Sequence, residues 1–225
     1  MVFPNLLGFI SDDTLEKRFK FLEYAVVLRG MVQATNNRIA YYSSVEVLTD
    51  DSKQRDILEK KIFNKSDLEL LADPDLVKME YRSDGFKAYF ENKPSEYRDW
   101  AGIIDEERRI HLYDDLMCEY VLAEDFMKFP DICSIVLAAG KNGSIDVTKV
   151  QKRNAHFREV GVSVDHLSKI SDAFMGNPNK FLRLDFFHAD PTKDKVNKVS
   201  ASILVTPFKS NFKAYLEAAL ITPVL

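Results

Sequence analysis

Apolar and polar residues alternate most regularly in the last quarter of the chain. Two such runs, 181–187 and 199–206, are separated by a break at Asp190–Asp194. Because successive side chains of a strand point to opposite faces, this pattern predicts two half-buried strands paired as an antiparallel hairpin. Beyond Pro207, helical spacing predicts a helix that covers the hairpin through Phe212, Tyr215, Leu216 and Ala219.

The first hundred residues show a more helical pattern. A helix is predicted from Ser11 to Gly30, because apolar residues recur every three to four positions at Leu15, Phe19, Leu22 and Val26. Alternation over Arg38–Leu48 predicts one strand, and a second short strand is expected at 85–90. Further helices are predicted at 52–63, at 66–71 and from Pro74, where proline suits the first helical position.

The middle of the chain predicts one long helix followed by a hairpin. The helix spans about 105–128 and ends at Pro130, which is also the candidate domain boundary. Strands are predicted at 132–138 and 144–148, joined by a turn that contains Asn142-Gly143.

These elements together predict an α+β fold in one compact body. The part from 1 to 130 is helix-rich and carries an excess of acidic residues. The part from 131 to 225 is basic, and two β-hairpins covered by helices are expected there. The opposite charges favour docking of the two parts on each other or association with an oppositely charged partner.

Composition indicates a globular intracellular protein. Hydrophobic residues make up 46 % of the 225 residues, charged residues make up 29 %, and the net charge is −4. We expect no membrane span, because no run approaches about 20 apolar residues, and no signal peptide, because the apolar start lacks a basic segment. Cys118 and Cys133 are too few for a disulfide framework, which favours a reducing, cytoplasmic setting.

A basic stripe is the first candidate binding site. If 147–157 is helical, Lys149, Lys152, Arg153 and His156 share one face, with Arg158 beside them. Lysine and arginine displace counterions from phosphates, so this stripe would suit nucleic acid. The simpler interpretation is a solvated charged face.

Two groups resemble acid–base or metal sites only weakly. His111 lies on the predicted long helix in a row with Glu107, Asp115 and Glu119. This row is opposite the apolar stripe of the helix, which indicates that it is the solvent-exposed face. Asp185, His188 and Asp190 lie at the end of a predicted strand, where side chains often line clefts. We expect no metal and no cofactor, since metal-ligand spacings and phosphate-binding loops are absent.

Three functions remain open from sequence. The leading hypothesis is a non-enzymatic interaction or assembly protein that binds a protein partner or itself, because catalytic motifs are missing and aromatic residues are abundant. The second is a nucleic-acid-binding module that uses Lys149–Arg158. The third is a hydrolase or nuclease that uses His111 or the group at Asp185, His188 and Asp190.

Overall fold

Twelve β-strands dominate the described part of the chain in the computed structural model. The described residues are 3–11, 22–36, 38–104, 132–139, 145–153, 162–174, 181–187, 202–207 and 217–221. Within them there are three α-helices, α1 (Ser52–Leu58), α2 (Lys65–Leu71) and α3 (Val164–Ala173), and two 3-10 turns, Leu7–Phe9 and Val45–Val47. None of the helices found there is long and apolar enough to cross a membrane.

Nine strands form one antiparallel sheet that includes residues from both sides of Pro130. In chain order they are β1 (Tyr24–Leu28), β2 (Met31–Thr35), β3 (Ile39–Ser44), β4 (Ile62–Asn64), β8 (Ile132–Ala139), β9 (Ile145–Arg153), β10 (Phe181–Phe187), β11 (Ser202–Pro207) and β12 (Glu217–Ile221). Their spatial order is β4-β1-β2-β3-β12-β11-β10-β8-β9. The pairing of β12 with β3 joins the early strands to the late ones.

A second, three-stranded antiparallel sheet has the order β5-β6-β7. Its strands are β5 (Leu76–Tyr81), β6 (Gly85–Phe90) and β7 (Glu96–Asp99). One face of this sheet packs on the larger sheet through aromatic rings. Phe63 of β4 lies 6.0 Å from Phe86 and 5.5 Å from Trp100, centroid to centroid.

The main core lies on one face of the nine-stranded sheet. Tyr41 is fully buried there between Phe9, whose ring meets it edge-on at 5.5 Å, and Phe174 at the end of α3. Edge-to-face contacts of this kind add to the free energy gained by burying the rings. The first residues of the described chain and α3 therefore cover the centre of the sheet.

The β1–β2 hairpin turns in two residues, Arg29 and Gly30, which have φ angles of 53° and 71°. A two-residue turn with both φ angles positive matches the right-handed twist of its strands. The carboxylate of Glu59 accepts hydrogen bonds from both backbone amides, at 2.7 Å from Arg29 N and 3.0 Å from Gly30 N. This carboxylate holds the turn against the end of α1.

Arginine is an unfavourable residue for the left-handed position at 29, so Arg29→Asn is expected to stabilise the fold. The gain should be about 0.5–1 kcal/mol, because asparagine tolerates positive φ better. Chemical denaturation measures it. Arg29→Ala is the matched control, since it also loses the arginine side chain but keeps the backbone strain. Equal stability of the two variants would contradict this explanation.

The expected α+β fold with a helix-rich N-terminal part is wrong, because the described chain is mostly antiparallel sheet. The helix predicted from Ser11 to Gly30 is replaced by β1 where the structure describes it, from Leu22 onward. The helix predicted from Pro74 is instead β5. Five strands and two short helices therefore stand before residue 82, where four helices and one strand were expected.

Other predicted elements are confirmed. β3 begins within the predicted strand Arg38–Leu48, α1 occupies the first part of 52–63, α2 matches 66–71, and β6 matches 85–90. In the late chain, β8 pairs with β9 and β10 pairs with β11, both antiparallel.

The predicted helix after Pro207 is wrong at its C-terminal end, because β12 begins there. The long helix at 105–128 lies outside the described residues, and the division into 1–130 and 131–225 stays a prediction.

Candidate functional site

The outer edge of β7 is open within the described structure. Trp100 N donates to Asp84 O, so these two residues form a hydrogen-bonded pair of the β6–β7 ladder. Bonded and non-bonded pairs alternate along an antiparallel ladder, and Gly85 is opposite Asp99 while Lys87 is opposite Tyr97. The N–H and C=O groups of Tyr97 and Asp99 therefore point away from β6, toward the edge.

The opposite edge of the same sheet is partly closed. Arg82 N donates to Gly85 O, so by the same alternation Tyr81 of β5 directs its backbone outward. Its N–H is hydrogen-bonded to Oε1 of Gln54 in α1 at 3.0 Å. A helix side chain thus occupies the position that a further strand would need.

The β4 edge of the nine-stranded sheet is also partly closed. Ile62 N donates to Gly102 O at 3.2 Å, and Ile104 N donates to Lys60 O at 2.9 Å. The short segment 102–104 therefore lies beside the edge as an irregular extra strand. Among the described residues, this leaves β7 and β9 as the two open strand edges.

β9 is a long edge strand with an irregularity in its pairing. It spans nine residues, pairs only with β8 among the described strands, and shifts register opposite Val136 and Leu137. Its sequence contains three basic residues and one acidic residue, Lys149, Lys152, Arg153 and Asp146. Unpaired edges of this length are templates for pairing with another chain unless something covers them.

One face of the three-stranded sheet carries aromatic and charged side chains. The ammonium groups of Lys78 and Lys87 lie 5.5 Å and 5.1 Å from the centroid of the Tyr89 ring. The Tyr89 hydroxyl donates to the carboxylate of Glu80 at 2.8 Å, which raises the pKa of Tyr89. Glu80 also accepts from Arg82 at 2.8 Å, and these bonds lower the pKa of its carboxyl group.

Tyr97 lies across Gly85 on the same face. A Cβ atom at Gly85 would be 2.6 Å from the Tyr97 hydroxyl oxygen and 2.1 Å from the carbonyl oxygen of Arg98. Only glycine therefore lets the tyrosine approach the sheet this closely. Desolvation and a hydrogen bond to Asp84 raise the pKa of Tyr97, although the residue keeps 43 % of its surface exposed.

Asp67, at the start of α2, is a buried carboxylate held by two kinds of partner. It forms a capping box with Asn64, in which each side chain accepts from the other residue's backbone N–H at 3.0 Å. Arg98 Nη1 lies 3.6 Å from its Oδ1. Burial raises the pKa of Asp67, and the backbone bond and Arg98 oppose that shift. Arg98 thus ties β7 to α2.

Three residues of the predicted basic stripe, Lys149, Lys152 and Arg153, lie in β9. The helix that would place the whole stripe on one face is therefore not formed as far as residue 153. The register with β8 is regular from Lys149 to Arg153, so positions 149 and 153 alternate with position 152 along the strand. His156 and Arg158 lie outside the described residues. Nucleic-acid binding by this group stays a prediction.

Of the acid–base candidates, the structure describes Asp185 alone. Asp185 lies in β10, opposite Ser134 of β8 and Leu204 of β11. His111, His188 and Asp190 lie outside the described residues. Within the described ranges, no group of three or more His, Cys, Asp or Glu residues is placed to hold a metal ion.

Neither a protein-family model nor a curated protein matches this sequence. One solved structure is similar in outline, the crystal structure of the Helicobacter pylori beta clamp in complex with carprofen. The identity is 10 % and the TM-score is 0.42 over the whole of this chain, which spans 65 % of the length of the clamp chain. A similarity at this level does not establish a shared fold or function.

The open edges are the feature that sequence patterns missed. Gln54 and the segment 102–104 close two of the edges. The hydrogen bond from Tyr81 to Gln54 joins residues that are 27 positions apart in the sequence.

Proposed function

We propose that this protein is a non-enzymatic assembly protein, in which copies associate by pairing the edge of β7 with the edge of β9 in a second copy. The observation that supports the proposal is that two of the four described sheet edges are occupied by other parts of the chain and two are open. Gln54 and the segment 102–104 occupy β5 and β4, whereas Tyr97 and Asp99 present outward backbone groups on β7. Main-chain hydrogen bonds across two edges would extend the sheets.

Charge favours a contact between unlike edges. β9 carries a net excess of basic residues, whereas β7 carries Glu96 and Asp99, and the single cation Arg98 is engaged by Asp67 and by Glu96 at 2.6 Å. Two β9 edges would repel each other. A contact between two different surfaces is head-to-tail, and such contacts build rings or open filaments rather than closed two-fold dimers.

The proposal keeps the interaction hypothesis and narrows it to self-association. A cytoplasmic setting belongs to the same proposal and rests on the two cysteines. Catalysis by His111 or by Asp185, His188 and Asp190 has no support from the described residues, so the proposal assigns no enzymatic activity.

Asp99→Pro tests the β7 edge with little change to the fold. The Asp99 N–H points outward, so proline removes an outward donor and places its ring against an incoming strand while the β6–β7 bonds remain. Association should weaken by at least about tenfold, which corresponds to about 1.4 kcal/mol. Light scattering over a dilution series measures the change.

Asp99→Ala is the matched control for that substitution. It removes the same carboxylate but keeps the amide, so association should fall only slightly. A monomeric wild-type protein of 25.8 kDa at every concentration would overturn the proposal. So would equal association by the alanine and proline variants.

A further inference from the structure

The face of the three-stranded sheet that is opposite its core joins aromatic rings to cations. Lys78 and Glu80 of β5 are opposite Tyr89 and Lys87 of β6, and Lys87 is in turn opposite Tyr97 of β7. Residues on the same face alternate with the buried Met79, Tyr81, Phe86 and Ala88. The face thus has a row of polar groups across all three strands.

The two lysines have no carboxylate within salt-bridge distance among the described residues. Glu80 is the nearest acidic group on the strand, and its oxygens accept from Arg82 and from the Tyr89 hydroxyl. Lys78 and Lys87 instead lie over the Tyr89 ring. Lys78 also attracts Glu80 through space, but neither lysine is held in a salt bridge among the described residues, whereas Arg82 is bound by Glu80, so the two ammonium groups can bind an anion.

The two tyrosines are diagonal neighbours on adjacent strands. Tyr97 is opposite Lys87, and Tyr89 is two residues further along β6, so their backbones are about 7–8 Å apart. The close approach of Tyr97 to Gly85 directs its ring along the sheet away from Tyr89, because Gly85 and Tyr89 are on opposite sides of Lys87 in β6, and 43 % of the residue remains exposed. Both hydroxyl groups are hydrogen-bonded, to Glu80 and Asp84, which fixes the rings in place.

We propose that this face, which we name the tyrosine–lysine face (Lys78, Lys87, Tyr89 and Tyr97), binds single-stranded nucleic acid. Bases stack on exposed aromatic rings without regard to sequence, and lysine ammonium groups bind the phosphates between them. The ligand is an anionic chain with flat rings, because the face offers both chemistries side by side. The binding uses side chains, so it is independent of the backbone edges in the proposed assembly.

Fluorescence anisotropy with a labelled oligothymidylate of about 10 nucleotides tests the proposal, since single-strand platforms cover sites of this size. At physiological salt the full chain should bind with a dissociation constant of about 10⁻⁴ to 10⁻⁶ M, and binding should be tighter at low salt and weaken steeply as salt rises. Lys78→Gln combined with Lys87→Gln should weaken it at least about tenfold. Absence of binding at low salt would overturn the proposal.

Tyr97 separates stacking from simple charge attraction. Tyr97→Leu should weaken binding by about tenfold, whereas Tyr97→Phe should weaken it much less, because it keeps the stacking ring and loses only the hydrogen bond that orients it. A poly-glutamate peptide of the same length should bind much more weakly than the oligonucleotide. Equal binding of the peptide, or no effect of Tyr97→Leu, would overturn the stacking role.

The basic residues of β9 provide the competing site. Combined Lys149→Gln, Lys152→Gln and Arg153→Gln substitutions should leave oligonucleotide binding within about twofold of the wild type, because these residues are outside the tyrosine–lysine face. Loss of binding in this triple variant, with retention in the Lys78 and Lys87 double variant, would overturn the proposal and favour β9. Melting curves confirm that each variant is folded.

Discussion

Phe63→Ala should lower the free energy of unfolding by about 3–5 kcal/mol, because it removes a buried ring between the two sheets. Phe63 is 1 % exposed and lies where the two sheets meet. Its ring contacts Trp100 edge-on at 5.5 Å and Phe86 at 6.0 Å. Alanine would leave a cavity beside the rings of Phe86 and Trp100, and this cavity cannot close without moving β4 relative to β6.

Denaturant titration of the wild-type and variant proteins measures that loss. Phe63→Leu is the matched control, since it keeps most of the apolar volume and should cost only about 1.5 kcal/mol. The exposed Tyr97→Phe variant should change stability by less than about 0.5 kcal/mol. A cost below about 1 kcal/mol for Phe63→Ala would show that the two sheets are not packed through this ring.

Arg98→Met should destabilise the fold at neutral pH by about 1–3 kcal/mol, because it leaves the buried Asp67 carboxylate without its cation. Asp67 has a relative side-chain exposure of 3 %, so water cannot replace the guanidinium. Arg98 also donates to Ser66 Oγ at 2.8 Å, and this bond is lost as well. Glu96→Gln is the control, since it removes only an exposed ion pair and should cost below about 1 kcal/mol.

The effect of Arg98→Met should shrink as the pH falls. Arg98 opposes the burial that raises the pKa of Asp67, so removing it raises that pKa further. Once the pH drops below the raised pKa, the folded variant binds a proton that the unfolded chain does not bind until about pH 3.8, and stability is regained. A difference from the wild type that stays constant down to about pH 4 would contradict the electrostatic explanation.

The sequence predicted the late strands from two kinds of pattern. Alternation predicted β10 and β11, and a continuous apolar run before the Asn142-Gly143 turn predicted β8 and β9; both pairs are present. The pattern failed at β1, where Leu22 and Val26 continue an apparent helical stripe but Ala25, Val26 and Val27 form a buried strand that ends at the Arg29-Gly30 turn. Tertiary burial of both faces decided the outcome there, as it often does for short apolar runs.

The basic residues at 149–153 show a similar ambiguity between helix and strand. Lys149, Lys152 and Arg153 have helical spacing, yet Ile145, Val147 and Val150 are β-branched and favour the strand that the structure has. Which edges are open could not be predicted at all. An edge is defined by the order of strands in the whole sheet, and the partners that close β5 and β4 come from distant parts of the chain.

Light scattering of a mixture of two edge variants tests the head-to-tail contact most directly. One variant carries Asp99→Pro and keeps an intact β9, and the other carries Lys149→Glu, Lys152→Glu and Arg153→Glu and keeps an intact β7. Each variant alone should be a monomer, and an equimolar mixture should form one-to-one dimers that grow no further, because each copy retains one usable edge. Dimers of either variant alone, or monomers in the mixture, would contradict pairing between β7 and β9.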